Sequence, residues 1–350
     1  MPSLSSIRVG CSAVVAVLSI ASFLWGGAAR ADMVLTSAGL AKGFKLTTFA
    51  SGFPTIESGT PGRAYGPFGI GFPSTGAVLV SDIFGDMRRF PTDTDGQSAG
   101  SVPIVQNYGL FNAADIAASA GRLYMDLPDR VIQINPDGTF NQFIVPLTAN
   151  GGMVANPLTG HLFVSVEDPA HQQVLDVDPL AKTAVPFVDT ALSPDGAAFR
   201  ADGSIFYVSA LIEFSPGHVL GFNTSTRALV FDSGIIRDGP DGIALGTGVL
   251  AGKMYVNTNG GRLVEIDLTT LMQTEIATGG SRGDFVKVDP NNDSLLLIQS
   301  DSILRLTAPA GGGFDLGTPV PEPGSMALFA LGVAALLGVR CLRSPEIYRR

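Results

Sequence analysis

A unit of about 43 residues recurs six times between residues 60 and 308. Each copy opens on a small or Gly-containing turn with an apolar pair, passes through a Gly-containing hairpin, and closes on alternating apolar strands. The turn residues of the six copies are Gly66-Pro67-Phe68-Gly69, Ala113-Ala114-Asp115, Asn150-Gly151-Gly152, Pro194-Asp195-Gly196, Pro240-Asp241-Gly242 and Arg282-Gly283-Asp284. The second strands read AVLVSD (77–82), RLYM (122–125), HLFVSV (161–166), SIFYVS (204–209), KMYVN (253–257) and SLLLI (294–298). Measured on Gly69, Asp115, Gly152, Gly196, Gly242 and Asp284, the spacings are 46, 37, 44, 46 and 42 residues. That period belongs to propeller blades of four short strands. A blade alone cannot bury both its faces, so neighbours must stack. The fold class expected is all-β, a six-bladed β-propeller over residues 32–308. Residues 44–50 (FKLTTFA) precede the first copy and are expected to pair with the sixth, closing the ring and removing exposed edges. The 43 Gly and 23 Pro supply the turns such a chain needs and break helices.

The two ends differ in kind from the body. Arg8, the apolar run 11–25 and the small residues Ala29 and Ala31 form a secretory signal peptide over residues 1–31, with cleavage by signal peptidase expected before Asp32. At the other end, Val320-Pro321-Glu322-Pro323-Gly324 precedes an apolar run at 325–339 and a basic end with Arg340, Arg343, Arg349 and Arg350. As a helix, fifteen apolar residues span roughly 22 Å, short of the roughly 30 Å hydrocarbon core. The arginines place that end on the cytoplasmic side. Residues 309–319, rich in Gly and Pro, read as a flexible linker.

The arrangement of residues 320–350 resembles the PEP-CTERM sorting signal. The resemblance implies recognition by exosortase, a membrane-embedded cysteine protease. It also implies a transient stay in the inner membrane, release to the cell surface or beyond, and an association with exopolysaccharide.

With both ends set aside, residues 32–324 hold sixteen basic and thirty acidic residues, a net charge of −14. A surface that acidic repels nucleic acid and excludes it as a partner. Cys11 and Cys341 lie in the two end segments, so the body must be held by its core without disulfides. Trp25, the single tryptophan, lies in the signal segment.

In a propeller the innermost strands begin near the axis, so the residues just before them converge. In blade order these are Phe68, Ala114, Asn150, Asp195, Asp241 and Arg282. An amide and two carboxylates from neighbouring blades can hold a hard divalent cation. Asp93-Thr94-Asp95-Gly96 has the start of a calcium loop without its distal Glu and reads as a turn. His161, His171 and His218 lack zinc spacing, and no Gly-rich loop opens a helix.

Residues 193–269 (SPDGAAFRADGSIFYVS, HVLGFNTSTRALVF, GPDGIAL and KMYVNTNGGRLVEIDLTT) resemble the gluconolactonase and regucalcin-like propellers. That resemblance implies an axial divalent metal, often calcium, and hydrolysis of a sugar lactone by water. Carried over by position, Asp241 is a metal ligand and the catalytic base, and Asn150 contacts substrate. Asp195 stands where an Asn ligand is found, and Tyr65 or Gly66 where the family has a first-blade Glu. Two function classes follow: an exported binding module whose hub can take a cation, and a metal-dependent sugar-lactone hydrolase.

Overall fold

The computed structural model describes residues 32–60, 63–109, 115–212 and 214–317. The signal segment with Ala29 and Ala31, the hub residue Ala114, and the sorting residues Val320, Pro321, Glu322 and Pro323 lie outside the described residues, as does the apolar run 325–339. The chain divides into two units, 1–30 and 31–350, and the second holds everything described below. Among the described residues no helix is long and apolar enough to cross a membrane.

Six antiparallel blades follow one another along the chain. Blade one is built from Pro67–Gly71, Val78–Asp82, Asp86–Phe90 and Ile104–Asn107. Blade two has Ile116–Ser119, Arg122–Leu127, Arg130–Ile134 and Phe140–Pro146. Blades three and four start at Met153–Ala155 and Ser193–Phe199, and blade five at Pro240–Gly248. Blade six supplies only Val286–Val288, Leu295–Ile298 and Ser302–Thr307. Its fourth strand is Lys45–Ser51 from the N-terminal side, antiparallel to Ser302–Thr307 with Leu46 opposite Leu306. The expected closure is therefore present. Gln97–Ser98 adds a parallel edge outside it.

Six apolar clusters account for the ring, one at each seam. Alternation along a strand sends successive side chains to opposite neighbours. On the second strand of blade three, Val164 packs against blade two with Ala117, Tyr124 and Val131. Phe163, one residue earlier, packs against blade four with Phe199 and Phe206. The seam between blades six and one joins Phe285 and Leu296 to Phe68, Val78 and Phe90, with Phe49 of the closing strand among them. That seam also carries a charged clasp. Arg305 donates to Asp95 Oδ1 at 2.8 Å, to Asp289 Oδ2 at 2.6 Å and to Ser294 Oγ at 2.6 Å, and it pairs with Asp93. The carboxylates of the calcium-loop fragment thus hold a guanidinium from the sixth blade.

One segment departs from expectation. Residues 309–317, read as part of a flexible linker, form a strap. Gly312–Asp315 pairs antiparallel with Leu245–Gly248, the end of the blade-five inner strand remote from Asp241. Phe314 is buried between Tyr255 and Phe44, with ring centroids at 5.0 and 6.4 Å. The glycines serve close approach rather than flexibility: a Cβ on Gly248 would lie 2.0 Å from the Gly311 carbonyl oxygen. Residues 318 and 319 lie outside the described residues.

Candidate functional site

The inner strands of blades one, four and five open on the same device. Pro67-Phe68-Gly69, Pro194-Asp195-Gly196 and Pro240-Asp241-Gly242 each contain a register shift against the second strand, between Pro67 and Ile70, Pro194 and Ala197, and Pro240 and Ile243. The expectation placed these residues in a turn before the strand; they form a bulge within its first residues. Pro lacks the N–H that the disrupted ladder leaves unused. A bulge re-aims the middle side chain. Gly lets neighbouring inner strands close up: a Cβ on Gly196 would meet the Asp241 carbonyl oxygen at 2.6 Å, and one on Gly242 the Val286 nitrogen at 2.5 Å.

At the mouth of the hub this brings Asp195 and Asp241 together. Burial first, and then the Asp195 carboxylate, push the Asp241 carboxyl well above the ordinary 3.8, while Arg282 opposes the shift. Asn259 Nδ2 donates to Asp241 Oδ2 at 2.6 Å and to the Gly283 carbonyl at 3.0 Å. Arg282 pairs with Asp284, and its guanidinium carbon sits 4.5 Å from the Tyr65 ring centre and 5.7 Å from that of Phe68. Asn150 is buried at the start of blade three, where neighbouring Gly151 abuts the Pro194 carbonyl. The structure thus brings Asp195 and Asp241 together, and Asn150 lies beside the same blade-four turn. Among the described residues no three His, Cys, Asp or Glu side chains are grouped to hold an ion.

Deeper along the axis lies a second cluster. Lys287, in the inner strand of blade six, donates across the hub to Asp115 Oδ2 at 2.9 Å and to the Met153 carbonyl at 3.3 Å. Asp115 also accepts from the backbone N–H groups of Ile116 at 2.7 Å and Met153 at 3.0 Å. Asp126 Oδ1 accepts from the Asp115 N–H at 2.6 Å, and its Oδ2 is buried without a partner. Burial first, and then Asp115, raise the Asp126 carboxyl well above 3.8. The sequence reading missed Lys287, Asn259 and Asp126. One signal existed: a charge amid the apolar residues of Val286-Lys287-Val288.

Above the hub, Ile56–Glu57 and Ala64–Tyr65 form a short hairpin. Arg63 from this hairpin donates to the Gly260 carbonyl at 2.9 Å and also bonds the Ser281 carbonyl. This positions Tyr65 beneath the Arg282 guanidinium.

Fold and hub together define a six-bladed β-propeller with an axis lined by internal charges. The chain ends in the PEP-CTERM protein-sorting motif, which matches residues 319–344 and marks an exported protein, anchored in a membrane and sorted through exosortase toward the cell surface. No curated protein matches the chain. Among solved structures, a gluconolactonase from Xanthomonas campestris superposes with a TM-score of 0.58 at 17% identity, over 79% of this chain and 95% of that one. A luciferin-regenerating enzyme gives 0.58 at 14% identity, over 80% and 100%. A chain of a nidogen/laminin complex gives 0.51 at 13%, over 76% and 98%. With 1165 matching chains, likeness at such identities defines the fold and leaves the activity to be argued from the site.

Proposed function

We propose that the mature chain is a cell-surface or extracellular binding module whose hub mouth takes polysaccharide, the exopolysaccharide of the producing cell being the natural partner. One observation carries this reading. Tyr65 or Gly66 stands where the gluconolactonase-like propellers have a first-blade Glu, and the Tyr65 ring centre lies 4.5 Å from the Arg282 guanidinium carbon, beside Asp241. A divalent cation such as calcium needs six to eight oxygens, several of them ionised carboxylates. Here Asn259 takes one Asp241 oxygen, the other Asp241 oxygen and Asn259 Oδ1 are buried without hydrogen-bond partners, and Arg282 sets a positive charge beside Asp241. Among the described residues no three carboxyl or imidazole side chains gather there, so the donor set falls short of what the cation needs. Aromatic faces with nearby amides and carboxyls suit sugar rings, which present apolar faces and hydroxyl edges.

The lactone-hydrolase reading retains Asp241 and Asn150 at matching positions, so one experiment separates the two. The purified chain is titrated with calcium, followed by thermal shift, and assayed on aldose lactones with Asp241→Ala as control. The module reading expects no calcium shift, no turnover, and retention on immobilised exopolysaccharide. Lactone turnover lost in Asp241→Ala overturns it. In the same proposal signal peptidase cuts between Ala31 and Asp32, and exosortase frees the body from the inner membrane. Mass spectrometry of both mature termini checks those two cuts.

A further inference from the structure

The strap fixes the face on which the described chain ends. The inner strand of blade five runs from Asp241 at the hub mouth to Gly248 at the opposite face, and the strap pairs with that far end. Beyond it, the Phe199 N–H donates to the Leu316 carbonyl at 3.0 Å. Gly317 lies against Phe199 and Pro157, to which a Cβ would come within 3.2 and 3.4 Å. The last described residue is thus on the face opposite the hub mouth, at the foot of blades three and four. Seven residues, 318–324, then separate it from the apolar run at 325. Fully extended, they reach about 25 Å. A disc tethered this closely has little freedom to turn over.

The surface around the strap suits a membrane. Leu158, next to Pro157, is 66% exposed, and Leu180, in the turn after His171–Asp178 of the same blade, is 70% exposed. Val249, which touches the strap at Gly311 and Gly312, is 67% exposed. Leu158 and Val249 sit on turns at the far end of inner strands, and Leu180 sits on the turn between the third and fourth strands of blade three, on the same face. An isolated exposed leucine needs no explanation. Val249 flanks the start of the strap, Leu158 adjoins Pro157 at its end, and Leu180 lies on a turn of the same face, so the three are placed to enter the lipid interface. The acidic body is repelled by anionic headgroups, so the attraction is apolar.

We propose that, while the sorting tail is inserted, the propeller rests its strap face on the phospholipid bilayer. Leu158, Leu180 and Val249 touch lipid, and the hub mouth points away from the membrane. The proposal rests on the tail reading, and the test separates the two. The chain from Asp32 to Arg350 has no tryptophan, because Trp25 is the single one. Leu158→Trp and Leu180→Trp therefore each introduce a sole reporter, and Ile212→Trp, 62% exposed on a turn at the hub-mouth end, serves as the opposite-face control. Each variant is reconstituted through its tail into phosphatidylcholine vesicles with brominated acyl chains. The expected result is flotation of all three, with quenching of Leu158→Trp and Leu180→Trp at least threefold stronger than of Ile212→Trp. Flotation with equal quenching, or stronger quenching at Ile212→Trp, overturns the orientation and leaves the tail reading standing. Failure to float overturns both.

Discussion

Two cations enter the hub on one stretch of chain, five residues apart, and are held in different ways. Arg282, at the mouth, is paired with Asp284 two residues on and lies over the rings of Tyr65 and Phe68. Lys287, deeper in, bonds Asp115 of blade two and the Met153 carbonyl of blade three, so it ties three blades together across the axis. The mouth cation is satisfied locally, by a carboxylate two residues on and by two aromatic rings. The deep cation is a cross-brace. Its partners are distant in sequence and excluded from water, and their loss is felt by the whole ring.

The largest expected effect tests that brace. Lys287→Met leaves the Asp115 carboxylate buried without its counter-charge, next to Asp126. Removing one partner of a buried ion pair costs about 3–5 kcal/mol, read as loss of unfolding free energy in urea. Arg282→Met leaves the buried Asp284 without its counter-charge and falls in the same range. The two differ in reach: Lys287→Met should also loosen the Ile116 and Met153 amides of blades two and three, read by hydrogen exchange, and Arg282→Met should not. Equal loss of protection at those amides would break the distinction between brace and mouth.

The next prediction sharpens the deep side through pH. Asp126 keeps its proton in the folded chain above 3.8, because burial and then Asp115 raise it. The unfolded chain releases that proton once pH passes 3.8. The folded state therefore binds more protons, and this group's contribution to stability falls as pH rises above that value. Asp126→Asn removes the dependence. The variant and the wild type should be alike below pH 3.8, and the variant should gain on the wild type as pH rises above it. A stability difference that stays flat between pH 4 and 7 breaks the assignment.

The contrast between the two levels also explains what was legible beforehand. The blade period could be read because alternation and Gly-rich turns are local. The closing strand followed because residues 44–50 alternate like the other strands yet had no copy of their own. Asp195 and Asp241 were found by their shared Pro-Asp-Gly, although the bulge that aims them was not, since a register shift depends on the partner strand. Lys287 escaped because its acceptor lies 172 residues away, and no local pattern encodes a reach across an axis. The strap escaped for a different reason. Gly and Pro are equally the composition of a loose linker and of a strand pressed against another backbone, and only buried Phe314 tells them apart.

The smallest predicted effect concerns the mouth alone. The Arg282 guanidinium faces two rings, but Tyr65 is the nearer, at 4.5 Å against 5.7 Å for Phe68. Cation–π attraction at a partly exposed site is worth about 0.5–1 kcal/mol and rises towards 2 where water is excluded. Arg282 is nearly buried, so the coupling should be about 1 kcal/mol. A double-mutant cycle of Tyr65→Leu and Arg282→Met isolates it, since Leu keeps the apolar contact and removes the ring. The same pair crossed with Lys287→Met should show no coupling, because Lys287 is held by oxygen acceptors from blades two and three. Coupling between Tyr65 and Lys287 as large as that between Tyr65 and Arg282 would mean that mouth and brace move as one unit. A ligand at the mouth would then be felt across the ring rather than on its surface.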